Sequence, residues 1–475
     1  MNEKNLLRLL LHYAKEDVYP FHMPGHKRNT ALLGETLPYA LDITEIDGFD
    51  NLHAPQGILQ QLNEQLARLW GSEQSFALVN GSTCGILAGV ASCVSPEETV
   101  LVARNCHRSV YHAVELTGAT PVYLVPPVDT GSGIAGSITP EQVRRALEAH
   151  PNTRLVIVTS PTYDGVISDM AGIVRTAHEA GVPVLADEAH GAHLVFTEQA
   201  ERSAVRAGAD IVIHSLHKTL PALTQCAAAH LCGTRIDPVR FQQALSMFET
   251  SSPSYVLLAS IAQCADFLEA QGAAAFAAYR ARLSDFSERC RALERLRVLG
   301  KGADKLENHP AFFAFDPGKL PVVTAHTTLD GQALLEALRQ DFAIEGEMAA
   351  ISYALLMTSV CDTEAGFTRL LEALFAIDRE AKFCEKPSAF SVPALPELRC
   401  SPAEAAKRSG RLCPLQEAAG KMSLEYVFCY PPGSPLLVPG EIVNQDMVSH
   451  ILKAQAHGLS VLSSRGALPL LRVCD

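Results

Sequence analysis

The sequence is short of positive charge: 39 lysines and arginines stand against 52 aspartates and glutamates, for a net charge of −13 and a pI near 5.7. That balance argues against nucleic acid or an anionic membrane surface as the main partner, since both recruit basic chains. No uncharged apolar run reaches the roughly 18 residues that a membrane span needs. The opening Met1-Asn2-Glu3-Lys4-Asn5 lacks the basic-then-apolar order of a signal peptide. Among 13 scattered cysteines there is no C-x-x-C pair. An odd, unpatterned set argues against a disulfide framework or a zinc site, and for thiols in a reducing cytoplasm. What is present, 48% hydrophobic and 19% charged residues over 475 positions, describes a globular chain of two or three domains with a large core.

From about 58 to 235 the pattern alternates between helical and strand periods, without a repeat or low-complexity block. Strands are expected at 75–79, 99–103, 121–125, 154–159, 183–187, 210–214 and 227–232, most of them separated by enough chain for a helix. That implies an α/β fold with a mostly parallel seven-stranded sheet covered on both faces. Ser95-Pro96-Glu97-Glu98 and Thr139-Pro140-Glu141-Gln142 each place a hydroxyl before a proline, the signature of a helix start. A short helix is expected over Leu6 to Ala14, and two long helices over 253–298. Short strands (311–315, 321–325, 351–360) with helices at 330–340 and 364–378 read as a smaller α+β domain. The expected organisation is an N-terminal arm (1–57), a large domain (58–298), a small α+β domain (299–382) and a C-terminal segment (383–475). That last segment has its own helix start at Ser401-Pro402-Ala403-Glu404.

The chemistry centres on Asp210-Ile211-Val212-Ile213-His214-Ser215-Leu216-His217-Lys218. An apolar strand delivers a lysine at its carboxyl end, where open α/β sheets place ligands. Burial lowers a lysine's pKa and makes the amine a nucleophile, as a Schiff base requires. Lys218 is therefore the candidate aldehyde-binding lysine, with pyridoxal phosphate (PLP) as the aldehyde. Asn80-Gly81-Ser82-Thr83-Cys84-Gly85 follows a strand and opens a helix, a setting that suits a phosphate. Asp187, at the end of another buried strand, offers the carboxylate that keeps a pyridine nitrogen protonated. His107, in Asn105-Cys106-His107-Arg108-Ser109, is placed to lie flat on a cofactor ring, or to serve a helix start. Pro20 to Asn29 reads as an anion-facing loop or a solvated N-terminal arm, and the acidic residues Asp42, Glu45, Asp47 and Asp50 as a loop that could face a cation. Four prolines stiffen Tyr430 to Glu441 and deliver Glu441 on a rigid loop.

Three apparent motifs fail. Gly131 to Gly136 spells G-x-G-x-x-G but sits in a loop, not between strand and helix. Ser215-Leu216-His217-Lys218 spells S-x-x-K without the S-D-N and K-T-G partners of acylating serine enzymes. Glu188, His190 and His193 lack the spacing of a metal site.

Taken together, the stretches Pro20–Lys27, Thr44–His53, Asn80–Thr83, Asn105–Ser109, Asp187–His190, Ser215–Gln225, Thr250–Tyr255 and Tyr430–Glu441 resemble the Orn/Lys/Arg decarboxylase family. P-F-H-M-P-G-H-K and P-P-G-x-P-L-L-V-P-G-E are its specific marks. The resemblance implies an aspartate-aminotransferase-like (PLP fold type I) architecture in the shorter form, without an N-terminal wing domain. It implies decarboxylation of arginine, lysine or ornithine, with Lys218 carrying PLP, Asp187 at the pyridine nitrogen and His107 stacked on the ring. Lys218, His217 and His107 form the implied catalytic set. Ser82, Thr83, His190, Ser215 and His217 would line the cofactor and its phosphate. Thr250–Ser254, including Ser251, would reach a neighbouring subunit's cofactor, so a cytoplasmic homodimer with shared sites is implied. Glu441 would face the distal cation of the substrate. An aminotransferase using the same lysine is the alternative, with Arg369 or Arg399 as carboxylate anchor.

Overall fold

A computed structural model describes residues 5–16, 24, 32, 34–300, 309–384, 393–429, 433–466 and 468–475. The anion-facing loop expected over Pro20 to Asn29, apart from Pro24, lies outside the described residues, as do 430–432 of the proline-rich motif.

Seven strands form one sheet: β1 (Gln74–Leu78), β2 (Thr99–Ala103), β3 (Thr120–Leu124), β4 (Thr153–Thr159), β5 (Val184–Asp187), β6 (Ile211–Ser215) and β7 (Ala227–Leu231). Their order is β1-β7-β6-β5-β4-β2-β3. Every strand starts and ends within one residue of its expected bounds, because uninterrupted apolar runs in a buried sheet leave little ambiguity. β2 is parallel to β3 and β4, and β5 to β6. β7 runs antiparallel to both neighbours. The cause lies in the link from β6 to β7, which holds only the four-residue helix Leu216–Thr219. A parallel return needs a crossover of about a dozen residues or more.

The chain divides into two compact units, one of residues 1–93 and 183–277, the other of 94–182 and 278–475. Each unit is built from separated stretches of sequence, unlike the four consecutive segments read from the pattern. In the first unit, helix Gly81–Cys93 lies close on the strands. A Cβ on Gly85 would come within 2.9 Å of the Leu78 side chain and 3.0 Å of Ile213, and one on Gly89 within 2.6 Å of Leu185. Glycine lets the helix press onto β1, β5 and β6, which fixes its N-terminus beside their carboxyl ends. The acidic 42–57 loop has a backbone purpose at Asp50. Its carboxylate accepts from the N–H groups of Asn51, Gln56, Gly57 and Leu59 at 2.8–3.1 Å, which organises the entry to helix Ile58–Trp70. Tyr255 donates to the Asp50 carbonyl at 2.7 Å and His53 Nε2 to the Thr250 carbonyl at 2.7 Å, tying this loop to the 250–255 segment.

The second unit carries β2–β4 and an antiparallel sheet in the order Met348–Ala349, Tyr353–Met357, Lys319–Val323, Arg297–Val298, with helices Gly331–Phe342 and Glu364–Glu380. Toward its C-terminal end, helix Gln445–Ala456 joins short strands around a core of Val427, Leu437, Val443, Val448, Ile451 and Leu471. Thr139 and Ser401 both close capping boxes with Gln142 and Glu404. Ser95-Pro96 does not start a helix. Too few residues separate it from β2, so it forms a turn in which Glu98 Oε2 accepts from the Ser95 N–H at 2.8 Å. The two helices expected over 253–298 are one, Tyr255–Cys290, of 36 residues. An isolated Gly272 in an alanine-rich run costs about 1 kcal/mol, too little to break it.

Candidate active site

In the first unit the carboxyl ends of β5 and β6 and the start of helix Gly81–Cys93 bring five of the expected residues into two hydrogen-bonded pairs and an adjoining acid. Ser215 donates to Ser82 Oγ at 2.8 Å. Two hydroxyls at the N-terminus of a 13-residue helix form a polar cradle that its N–H groups and dipole make attractive to an anion. Lys218 Nζ lies 3.0 Å from His190 Nε2. At that distance the ring nitrogen accepts from the amine, which fixes Nζ at the carboxyl end of β6. Asp187 is buried at the end of β5, and its Oδ1 accepts from the Ala189 N–H at 3.2 Å. His217 Nδ1 donates to the Cys226 carbonyl at 2.9 Å, which fixes the tautomer and leaves Nε2 as an acceptor. Burial holds the His217 imidazole below its usual range, and Lys218 adds to the effect against the Cys226 carbonyl. Thr83 and Ser251 are exposed.

Behind these loops lies a buried polar chain that the sequence reading missed. Glu188 Oε2 sits 2.7 Å from His214 Nε2, His214 Nδ1 lies 3.0 Å from His230 Nε2, and His230 Nδ1 lies 2.7 Å from Ser75 Oγ. Ser203 Oγ and the Ala204 N–H donate to Glu188 at 2.9 and 2.7 Å. Glu188, His214 and His230 are fully buried, and Trp70 packs against both imidazoles with centroids 5.7 and 5.3 Å away. Burial pushes Glu188 up to about 8, against the pull of Ala204 and Ser203, and pushes His214 down to about 3. The visible signal was a histidine inside each of two apolar strands. Glu188 and His214 are therefore partners to each other, and among the described residues no group of three His, Cys, Asp or Glu side chains is placed to hold a metal ion.

The second unit holds His107 and Glu441. His107 is the N-cap of helix Arg108–Thr117, with Nδ1 accepting from the Ser109 N–H at 3.2 Å. Glu441 is not exposed toward a ligand: its side chain is fully buried and forms an ion pair with Arg104 at 3.3 Å. It also accepts from the Val438 N–H at 2.8 Å. Arg104 was overlooked, although it follows an apolar strand much as Lys218 does. Arg369 and Arg399, the anchors of the aminotransferase alternative, are both exposed residues of this unit.

Residues 5–320 match the family described as Orn/Lys/Arg decarboxylase, major domain, and residues 386–459 match the corresponding C-terminal domain. The chain belongs to the Orn/Lys/Arg decarboxylase family. Within that family it is 32% identical to the arginine decarboxylase of Bacillus subtilis (strain 168), over 97% of this chain and 95% of that one. It is 29% identical to a lysine decarboxylase of Pseudomonas aeruginosa, over 54% of this chain and 38% of the relative. The crystal structure of the Francisella novicida lysine decarboxylase LdcF matches with a TM-score of 0.85 at 21% identity, covering 99% of this chain and 81% of that one. The fold is thus the α/β architecture that the strand pattern led one to expect, and the fold type I form that the resemblance implied.

Proposed function

We propose that this chain decarboxylates arginine, releasing CO2 and the corresponding amine, with PLP held at Lys218. The observation that carries the reading is the lysine at the end of β6, hydrogen-bonded to His190, with the Ser82–Ser215 cradle and buried Asp187 in the same unit. These groups match the chemistry of the cofactor: an amine for the aldehyde, hydroxyls at a helix start for the phosphate, an acid for the ring nitrogen. When bound, PLP supplies an electron sink for the bond between Cα and the leaving carboxylate. Asp187 would hold the ring nitrogen in its protonated form, and the helix N-terminus with Ser82 and Ser215 would hold the phosphate. Lys218 would hold the aldehyde of PLP, with His190 Nε2 accepting from its amine at 3.0 Å and orienting it. His217, neutral at physiological pH, takes part as a hydrogen-bond acceptor. His107 is read as the ring-stacking residue, and Ser251 as a contribution to a neighbouring subunit in a cytoplasmic homodimer.

Arginine is chosen over lysine because the relative aligned along nearly the whole chain is named arginine decarboxylase, whereas the lysine decarboxylase aligns over about half. The test is CO2 release from arginine, lysine and ornithine separately, with added PLP, beside Lys218→Ala. Release from arginine, abolished by the substitution, is the expected result. Release from lysine or ornithine alone moves the substrate. No release from any, with a visible cofactor band that Lys218→Ala removes, keeps the cofactor site and overturns the reaction.

A further inference from the structure

We propose that Glu441 is a positioning residue: through Arg104 it sets the 104–109 loop on which His107 stands, instead of meeting the substrate's cation. The inference rests on the reading of His107 as part of the site; the connectivity that supports it is independent of any ligand. Arg104 leaves β2 and is almost entirely enclosed. Its guanidinium donates to the carbonyls of Pro435 at 2.6 Å and Leu436 at 3.0 Å, and to both Glu441 oxygens at 3.3 Å. It also lies 5.5 Å and 5.2 Å from the Tyr111 and Tyr123 ring centroids. Tyr111 returns a hydrogen bond from its hydroxyl to the Arg104 carbonyl at 2.6 Å.

The same two segments meet again on either side of His107. Ser434 Oγ donates to the Asn105 carbonyl at 3.0 Å, and the Arg108 N–H donates to the Gly433 carbonyl at 3.1 Å. The backbone flanking His107 is therefore pinned before and after the imidazole by the 433–441 loop. That loop is in turn held by the buried guanidinium and by Glu441. A charge so enclosed needs a counter-charge with fixed geometry, since losing one partner of a buried pair strands the other. Glu441 supplies it and also closes its own loop through the Val438 N–H. Neither carboxylate oxygen is left facing solvent, because the side chain is 0% exposed.

A substrate carboxylate and a positioning residue respond differently to removal of Arg104. If Glu441 held the substrate cation, Arg104→Met would take away a competing cation and leave or tighten the KM for the basic amino acid. Glu441→Gln would then raise that KM with little change in kcat. Positioning predicts the same response from both variants: kcat lowered by about tenfold or more through a displaced His107, with KM moved much less. A ligand-free readout accompanies the kinetics. The His107 ring nitrogen signals are followed in the full-length protein labelled with 15N-histidine and assigned through His107→Gln. They are expected to shift in both Arg104→Met and Glu441→Gln. Unchanged His107 signals in folded Glu441→Gln, or a KM-only defect in that variant, would overturn the proposal. Should the wild-type protein decarboxylate none of the amino acids, the nitrogen signals still decide it. Should Arg104→Met not fold, the near-isosteric Glu441→Gln carries the test.

Discussion

Replacing Glu188 by glutamine isolates the proton held beneath the strands of the candidate site, and its consequence is a change in how stability follows pH. In the unfolded chain the carboxyl titrates near 4.5 and the imidazole of His214 near 6.5; folded, they move to about 8 and about 3. Between pH 3 and 4.5 the unfolded pair holds two protons and the folded pair one, so stability rises with pH. From 4.5 to 6.5 both states hold one proton and the pair contributes no slope. Between 6.5 and 8 the folded pair keeps a proton that the unfolded pair has lost, so stability falls as pH rises. Those 1.5 units amount to about 2 kcal/mol.

Glutamine mimics the protonated carboxyl, donating toward His214 Nε2 while its carbonyl accepts from the Ala204 N–H. With only His214 left, stability rises with pH up to 6.5 and is level above it. The assay is urea unfolding of both proteins at pH 5, 6.5 and 8. Other groups titrate alike in both and cancel in the difference. The advantage of the wild type over the variant should shrink by about 2 kcal/mol from pH 6.5 to 8. A difference that stays constant across that interval would refute the buried, protonated Glu188.

Two further outcomes follow from the geometry. Ser82→Ala and Ser215→Ala should each weaken PLP binding, and the double variant should cost less than the sum by about 0.5–1.5 kcal/mol, because the two hydroxyls bond each other; cofactor titration by absorbance measures this, and strict additivity counts against a shared cradle. Gly440→Ala should destabilise by roughly 3 kcal/mol or more, since Gly440 has a φ of 94° and a Cβ there would stand 2.2 Å from the Cys400 carbonyl oxygen. A melting temperature equal to that of the wild type would contradict it.

What the sequence made legible were features whose cause is local. Seven apolar runs announced their strands, and Thr139 and Ser401 announced their helices through reciprocal caps only three residues long. Lys218, Asp187 and Ser82 stood out because each is a polar residue delivered by an apolar strand. Partnerships across long separations were hidden. Nothing in the spacing couples His214 to Glu188, 26 residues away, or Arg104 to Glu441, 337 residues away. Glu441 therefore read as a carboxylate awaiting a ligand. Asp50 was misleading for a related reason: the dense charge around it suggested a cation, but its carboxylate satisfies backbone N–H groups. Ser95-Pro96 carried a helix signature with no room for a helix.

The span between Arg104 and Glu441 also bears on how the protein is made. A ribosome adding about 5–20 residues per second releases the arginine some 17–70 seconds before its counter-ion, judged from a separation of 337 residues. Throughout that interval the nascent strand β2 must keep its cation hydrated, so the pocket around Arg104 cannot close early. Translation that stops short of residue 441 would leave a guanidinium whose enclosure is uncompensated, and such a fragment should be retained by chaperones or cleared by proteases. The buried pair around Arg104 is therefore complete only once the C-terminal motif that carries Glu441 has been made.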